Sequence, residues 1–465
     1  MSHLMETQKS LVFAVTRRLP ELITPEKPTP HEYKFLSDID DQEAFRFQIP
    51  NIQFYRKKNN HVDVQKMDPV KVIREALAKT LVFYYPLAGR LREGAGRKLA
   101  VECTGEGVMF VEADADVTLE QFGDTLRPPF PCFEELLFDV PGSSGILDRP
   151  LLHIQVTRLK CGGFIFASRI NHTMCDAAGL VQFLTALGEI ARGASAPSIP
   201  PVWQRELLSA RDPPRATCTH NQFDEVDDLI INLDDIVNRS FFFGPTEIRA
   251  LRQLVPPHLG KCSSFELLTA FLWRCRTRSL QLDPKEEVRI CYLVNARAKF
   301  NPPILPVGYY GNAFVNPAAV TTVGKLCENP FGYALELIKK IKEDVTEEYM
   351  RSVADLMVLK GRPLFTLART YYVSDVTHAG FEDIDFGWGR AAYGGPPRGV
   401  IGYDITEMSF YIPNQNKKGE KGIVVALSLP AIAMEKFVAE LDNMLKNNGQ
   451  FVMIENASLP IQSAL

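Results

Sequence analysis

This chain of 465 residues contains no Cys-x-x-Cys pair, no run of about 18 apolar residues and no excess of basic charge, and each absence removes a class of function. Nine cysteines are scattered singly from Cys103 to Cys327, the pattern of reduced thiols rather than of a disulfide framework or zinc site. Met1 to Val15 lacks the charged start, apolar centre and small-residue cleavage site of a secretory signal, so neither export nor a membrane partner is expected. The sequons at Asn171, Asn238 and Asn456 therefore carry little meaning. Lys and Arg number 52 against 56 Asp and Glu, a net charge of −4 that argues against a nucleic-acid partner and leaves any anionic ligand to be met by local basic groups. Neither G-x-S-x-G nor H-E-x-x-H occurs, and no metal is implied. Gly94-Ala95-Gly96-Arg97-Lys98 lacks the rest of a phosphate-loop pattern and reads as a hairpin turn. Serine hydrolases, zinc hydrolases and nucleotide-driven enzymes all lose weight.

At 46% hydrophobic the chain can bury a large core, and its length fits two domains. Helical spacing of Val70, Ile73, Leu77 and Leu81 after Asp68-Pro69 predicts a helix ending at Tyr84-Tyr85-Pro86. Lys98 to Cys103 and Val108 to Glu112 read as a hairpin around Thr104-Gly105-Glu106-Gly107. A second hairpin joins Leu152–Val156 to Phe164–Ile170 through Cys161-Gly162-Gly163, and a helix follows from Asp176 towards Gly193. Prolines 197, 200, 201, 213 and 214 and the acidic run Asp224 to Asp228 mark a crossover. Beyond it lie helices at about 244–254 and 264–276, strands near 288–294 and 423–429, and one long amphipathic helix over 329–350 capped by Asn329-Pro330.

The most informative element is His172-Thr173-Met174-Cys175-Asp176, where an apolar strand hands over to a helix. The spacing alone is weak, because eight histidines yield roughly half a chance match, and His220-Asn221-Gln222-Phe223-Asp224 repeats it in a stretch with no expected buried scaffold. An imidazole near neutrality suits a general base, although a lone histidine is more often a core residue with satisfied nitrogens. Asp176 either orients that ring or caps the following helix and pairs with an arginine, and the structural role is preferred. In Asp385-Phe386-Gly387-Trp388-Gly389 the two glycines permit a sharp turn and the indole N–H could donate to an oxyanion, against a loop simply packed on a core. Gly308-Tyr309-Tyr310-Gly311-Asn312-Ala313 reads as a turn into a strand or a pocket lining.

Taken together in this order, His172 to Asp176 and Asp385 to Gly389 resemble the paired H-x-x-x-D and D-F-G-W-G signatures of the plant BAHD acyltransferases. Tyr309-Tyr310-Gly311-Asn312 is similar to the family's Y-F-G-N element, with Tyr310 in place of Phe. The similarity extends through Lys34 to Gln42, Tyr85 to Leu91 and Ser264 to Ala270, and within the family it is strongest to benzyl alcohol O-benzoyltransferases and alcohol acyltransferases.

The resemblance implies an α/β (α+β) fold of two chloramphenicol-acetyltransferase-like domains, residues 1–195 and 229–465, joined by a crossover at 196–228. It also implies an acyl-CoA, as co-substrate and not bound cofactor, meeting an alcohol at His172 as general base. By the same resemblance Asp176 points away to pair with Arg297, Trp388 is the candidate oxyanion donor, and Asp385, Gly387 and Gly389 form a structural motif. Lys261, Ser263 and Ser264 match the CoA end of the channel, where a helix start favours phosphate. Benzoyl transfer is the expected reaction. The acceptor is less defined, because Tyr403, Asp404 and Glu407 depart from the small-residue run of benzyl alcohol acyltransferases. An aliphatic alcohol, an alkaloid alcohol, an amine, or a silent CoA-ester binder are the alternatives. A cytoplasmic monomer is expected, with Ser463-Ala464-Leu465 as an imperfect peroxisomal signal.

Overall fold

The computed structural model describes residues 11–57, 68–123, 126–130, 132–142, 145–226, 235–300, 302–398 and 408–446. Asn456, the carboxy-terminal tripeptide and the Tyr403–Glu407 segment lie outside them.

Asp68 caps the helix Pro69–Phe83 by accepting the Val70 N–H, with Pro69 at the first position. Its buried stripe, Val70, Ile73, Leu77 and Leu81, packs against the helix Ala177–Ala191. Both cover a seven-stranded sheet in which Phe164–Asn171 lies antiparallel between Leu152–Leu159 and Gln48–Tyr55. A six-stranded sheet forms the second half, in the order Ile236–Phe243, Lys421–Pro430, Met408–Gln415, Thr370–Asp375, Glu287–Tyr292 and Ala318–Thr322. The helix Ser264–Leu280 packs on this half and runs beside Phe331–Asp344 and Ala431–Lys446. Each sheet has its own apolar core. No helix among the described residues is long and apolar enough to cross a membrane.

The two halves exchange material. Ile39 and Phe45 pack in the core of the second half, while Phe381, Phe386, Tyr393 and Phe410 pack in that of the first. Tyr393–Gly395 adds an edge strand to the first sheet by pairing with Gln48–Tyr55, so the segment around 381–397 departs from the expected division at residue 229.

Three local expectations are corrected. Leu99–Glu102 and Val108–Ala115 form no hairpin, because the former pairs with Arg90–Glu93 and Tyr33–Phe35 while the latter pairs in parallel with Leu152–Leu159. The long helix over 329–350 is two helices, Phe331–Asp344 and Glu347–Leu359, since Val345 and Thr346 are extended and the Thr346 hydroxyl caps the second by accepting the Tyr349 N–H. Asn329 closes the preceding helix Val323–Glu328, donating from its side chain to the Lys325 carbonyl, and Pro330 is the cap of the next.

Candidate active site

His172 extends the central strand by one bond, its N–H donating to the Phe47 carbonyl at 2.8 Å. The chain then turns sharply, because the Asn171 side-chain oxygen accepts from both the N–H and the hydroxyl of Thr173. The imidazole stacks on Phe45 at 4.8 Å with planes 12° apart, meets Phe47 edge-on at 5.5 Å and lies 6.0 Å from Phe314.

These rings belong to a cavity enclosing about 490 Å³ of empty space, part of it open to solvent. Residues of both sheets wall it. Ile49, Leu293, Phe365, Met408 and Phe410 are apolar, and Asn316, Tyr372 and Ser374 add polar atoms. The Tyr372 hydroxyl is already spent on the Thr366 carbonyl at 3.0 Å. Ser374 stands opposite Phe410 in register.

Burial depresses the His172 pKa below its ordinary 6.5, opposed by the residue's own main-chain carbonyl, by Asp176 at longer range and by the Asn312 side chain. The ring is therefore neutral at pH 7. Its remaining exposed surface is cavity wall. The Nδ1 atom is sealed from solvent.

Asp176 does not hydrogen-bond the ring. It caps the helix Ala177–Ala191 through the Gly179 N–H and is gripped by Arg297 at 2.6 and 2.9 Å. Arg297 also donates to the Gly311 carbonyl at 2.8 Å. A side chain at Gly179 would put its Cβ 2.1 Å from the Tyr310 carbonyl, so glycine is required for this helix start to dock on the Tyr309–Ala313 segment.

Sequence reasoning missed the roles of Asp40 and Arg205. Asp40 is buried and accepts from Arg205 at 2.8 Å and from both the N–H and the side-chain amide of Asn312 at 2.9 Å. That amide also donates to the His172 carbonyl at 2.8 Å. Asp40 and Asn312 stand within quoted motifs, but only three-dimensional proximity joins them to Arg205.

Trp388 is displaced from the expected place. Its indole packs edge-on at 5.2 Å from Phe164, the first residue of the strand that ends beside His172. Eight residues of strand put those positions roughly 26 Å apart at about 3.3 Å per residue. Nor is Trp388 among the residues that line this cavity. The Asp385–Gly389 loop instead docks on the helix end: Arg192 donates to the Asp385 carbonyl, and Asp385 Oδ1 accepts the N–H groups of Gly387 and Gly389. Those two glycines, at φ 110° and 91°, provide the tight turn.

His220 is also corrected. It is buried, bonds the Ser352 hydroxyl at 2.8 Å and packs at 4.8 Å from Tyr349, because the crossover is laid along the helix Glu347–Leu359.

Ser263 caps the helix Ser264–Leu280 in a reciprocal box with Glu266, and Lys261 is exposed just before it. The Glu266 carboxylate already accepts the Ser263 N–H at 2.8 Å, so an anion arriving there depends on lysines. Two more converge from Phe331–Asp344: Lys342 pairs with Glu266 at 3.1 Å, and Lys339 donates to the Leu259 carbonyl at 2.8 Å. Both stand within the span expected from sequence as an amphipathic helix.

Comparison with known proteins gives a consistent set of likenesses. A family model described as "Transferase family" matches residues 13–444. The benzyl alcohol O-benzoyltransferase of Nicotiana tabacum is 67% identical over 463 residues, covering 97% of this chain and 100% of the relative. The enzyme of the same name from Petunia hybrida is 68% identical, covering 96% and 97%. Among solved structures, vinorine synthase superposes with a TM-score of 0.70 at 21% identity, covering 93% of this chain and 98% of its own.

Proposed function

The chain belongs to that transferase family, the BAHD acyltransferases, and from that premise we propose an acyl-CoA-dependent O-acyltransferase that joins an aromatic acyl group, benzoyl foremost, to an alcohol such as benzyl alcohol. The observation that carries this reading is a desolvated, neutral imidazole opening on a cavity walled by aromatic and aliphatic side chains.

With Nδ1 sealed, Nε2 of His172 is the nitrogen left for substrate. It takes the alcohol proton as the oxygen attacks the thioester carbonyl, forming the C–O bond and moving the π pair onto the carbonyl oxygen. Collapse breaks the C–S bond, and the imidazolium returns its proton to the departing CoA sulfur. The oxyanion needs a donor, and with Trp388 outside the cavity the candidates on its wall are the Ser374 hydroxyl and the Asn316 amide. Asp176 and Arg297 support the loop without exchanging a proton. Lys261, Ser263 and Ser264, joined by Lys339 and Lys342, form the basic approach for the CoA phosphates. Asp385, Gly387 and Gly389 keep their structural place.

The test is CoA-thiol release from benzoyl-CoA with benzyl alcohol, an aliphatic alcohol, a cationic amino alcohol and an amine in parallel. Release that depends on an alcohol and falls about 10²- to 10⁴-fold in His172→Ala is expected. Release with the amine alone would replace ester formation by amide formation, and no release with bound benzoyl-CoA would leave a silent binder.

A further inference from the structure

The crossover, read in sequence as a linker, delivers Arg205 into the middle of the site's scaffold at 1% exposure. Its Nη1 donates to Asp40 Oδ1 at 2.8 Å and its Nη2 to the Met174 carbonyl at 2.7 Å. Trp203, Tyr309 and Tyr310 surround the guanidinium, with ring centres 4.4, 5.6 and 5.0 Å from its carbon. The same Asp40 oxygen accepts twice from Asn312, whose amide holds the His172 carbonyl. One carboxylate thus governs the main chain on both sides of Thr173: His172 through Asn312, and Met174 through Arg205.

Stability is a poor explanation for this arrangement. Desolvating an ion pair costs about as much as its attraction returns, and apolar residues of similar volume often serve a core as well. Moreover, the Arg205 Nε is buried without a partner, so the guanidinium is not fully satisfied where it sits. What the planar fork supplies is direction, since its two ends fix a carboxylate and a main-chain carbonyl at once.

We propose that Arg205 is a positioning residue for acyl transfer: through Asp40 and the Met174 carbonyl it fixes the loop that carries His172, so the crossover sets the geometry of the base. The proposal rests on the reading of His172 as that base.

Arg205→Lys keeps a positive charge beside Asp40 without the fork, and Arg205→Ala removes both. Each is measured beside the parent and His172→Ala for kcat, KM for benzoyl-CoA and unfolding midpoint. A displacement of about 1 Å can cost about 100-fold in rate. The folded variants are therefore expected to lose about 10- to 100-fold in kcat with KM changed by less than about threefold. Guanidinium at a non-denaturing concentration should restore part of the kcat of Arg205→Ala and none of that of His172→Ala. Parental kcat in either folded variant, or variants that lose stability without a separate loss of kcat or cannot be obtained folded, would assign Arg205 to stability and overturn the proposal. If His172→Ala itself keeps the parental rate, the base assignment fails first, and that result is distinct.

Discussion

Arg297 holds Asp176 by both carboxylate oxygens, Nη1 to Oδ2 at 2.6 Å and Nη2 to Oδ1 at 2.9 Å, while the Gly179 and Ala313 N–H groups donate to the same two atoms. The carboxylate is thereby engaged by the helix start and by the opposite half of the protein, away from the imidazole. Arg297→Ala would leave a carboxylate of 8% exposure without its counter-charge. A loss of about 3–5 kcal/mol in denaturant unfolding is expected, with the folded fraction retaining more activity than His172→Ala. Unchanged stability would mean that the pair carries no structural load.

Two histidines outside the cavity make stability fall in acid. Burial lowers His153 and His220 from 6.5 to about 4. Since the folded values are depressed, the stabilisation is fully present above 6.5 and is lost as pH falls towards 4, where the unfolded chain gains protons that the folded chain refuses. A shift of this size corresponds to about 3 kcal/mol for each group. The difference in unfolding free energy between pH 7 and pH 4.5 should shrink in His153→Phe, and an undiminished difference would place the acid sensitivity elsewhere. His172 has the same sign, so the acid limb of kcat/KM is expected below pH 6.5.

Trp388→Phe should leave kcat within about threefold of the parent, because the indole meets Phe164 at the far end of the strand from His172. A loss of about 100-fold would restore the oxyanion role. Trp388 also marks the limit of what the sequence made legible. The strand ending at Asn171 and the helix from Ala177 followed from local periodicity, and the pairing of Asp176 with Arg297 followed from the family resemblance. The destination of the D-F-G-W-G loop did not, because pattern matching gives residue types without distances. The crossover was misread for a related reason: proline and acid composition marks departure from regular structure, not exposure, and His220 and Arg205 are buried within it.

Two polar groups on the cavity wall then compete for the oxyanion. Ser374→Ala and Asn316→Ala each remove one, and the group that serves should cost about 10²-fold or more in kcat with KM for benzoyl-CoA little changed. Losses below about threefold in both variants would show that neither side chain is the donor, leaving a main-chain N–H or water.

A protein of net charge −4 must hold a polyanionic co-substrate by local basic groups. Because the Ser263 N–H is already bound by Glu266, the helix start alone is a weak phosphate site, and the field must come from Lys261, Lys339 and Lys342. Lys261 is exposed, and Lys342 pairs with Glu266, whose carboxyl is nonetheless held below its ordinary range, against its burial, by the Ser263 N–H and Lys342. Reversing one charge near bound phosphates should raise KM for benzoyl-CoA by about 10-fold at low salt, the equivalent of about 1.4 kcal/mol, and leave KM for the alcohol unchanged. Salt should narrow the difference, because exposed charges are screened within about 10 Å at 0.1 M. Lys261→Glu and Lys339→Glu measured across a salt series decide the matter: a KM for benzoyl-CoA that stays parental at every ionic strength in both would move the phosphate site away from this helix start.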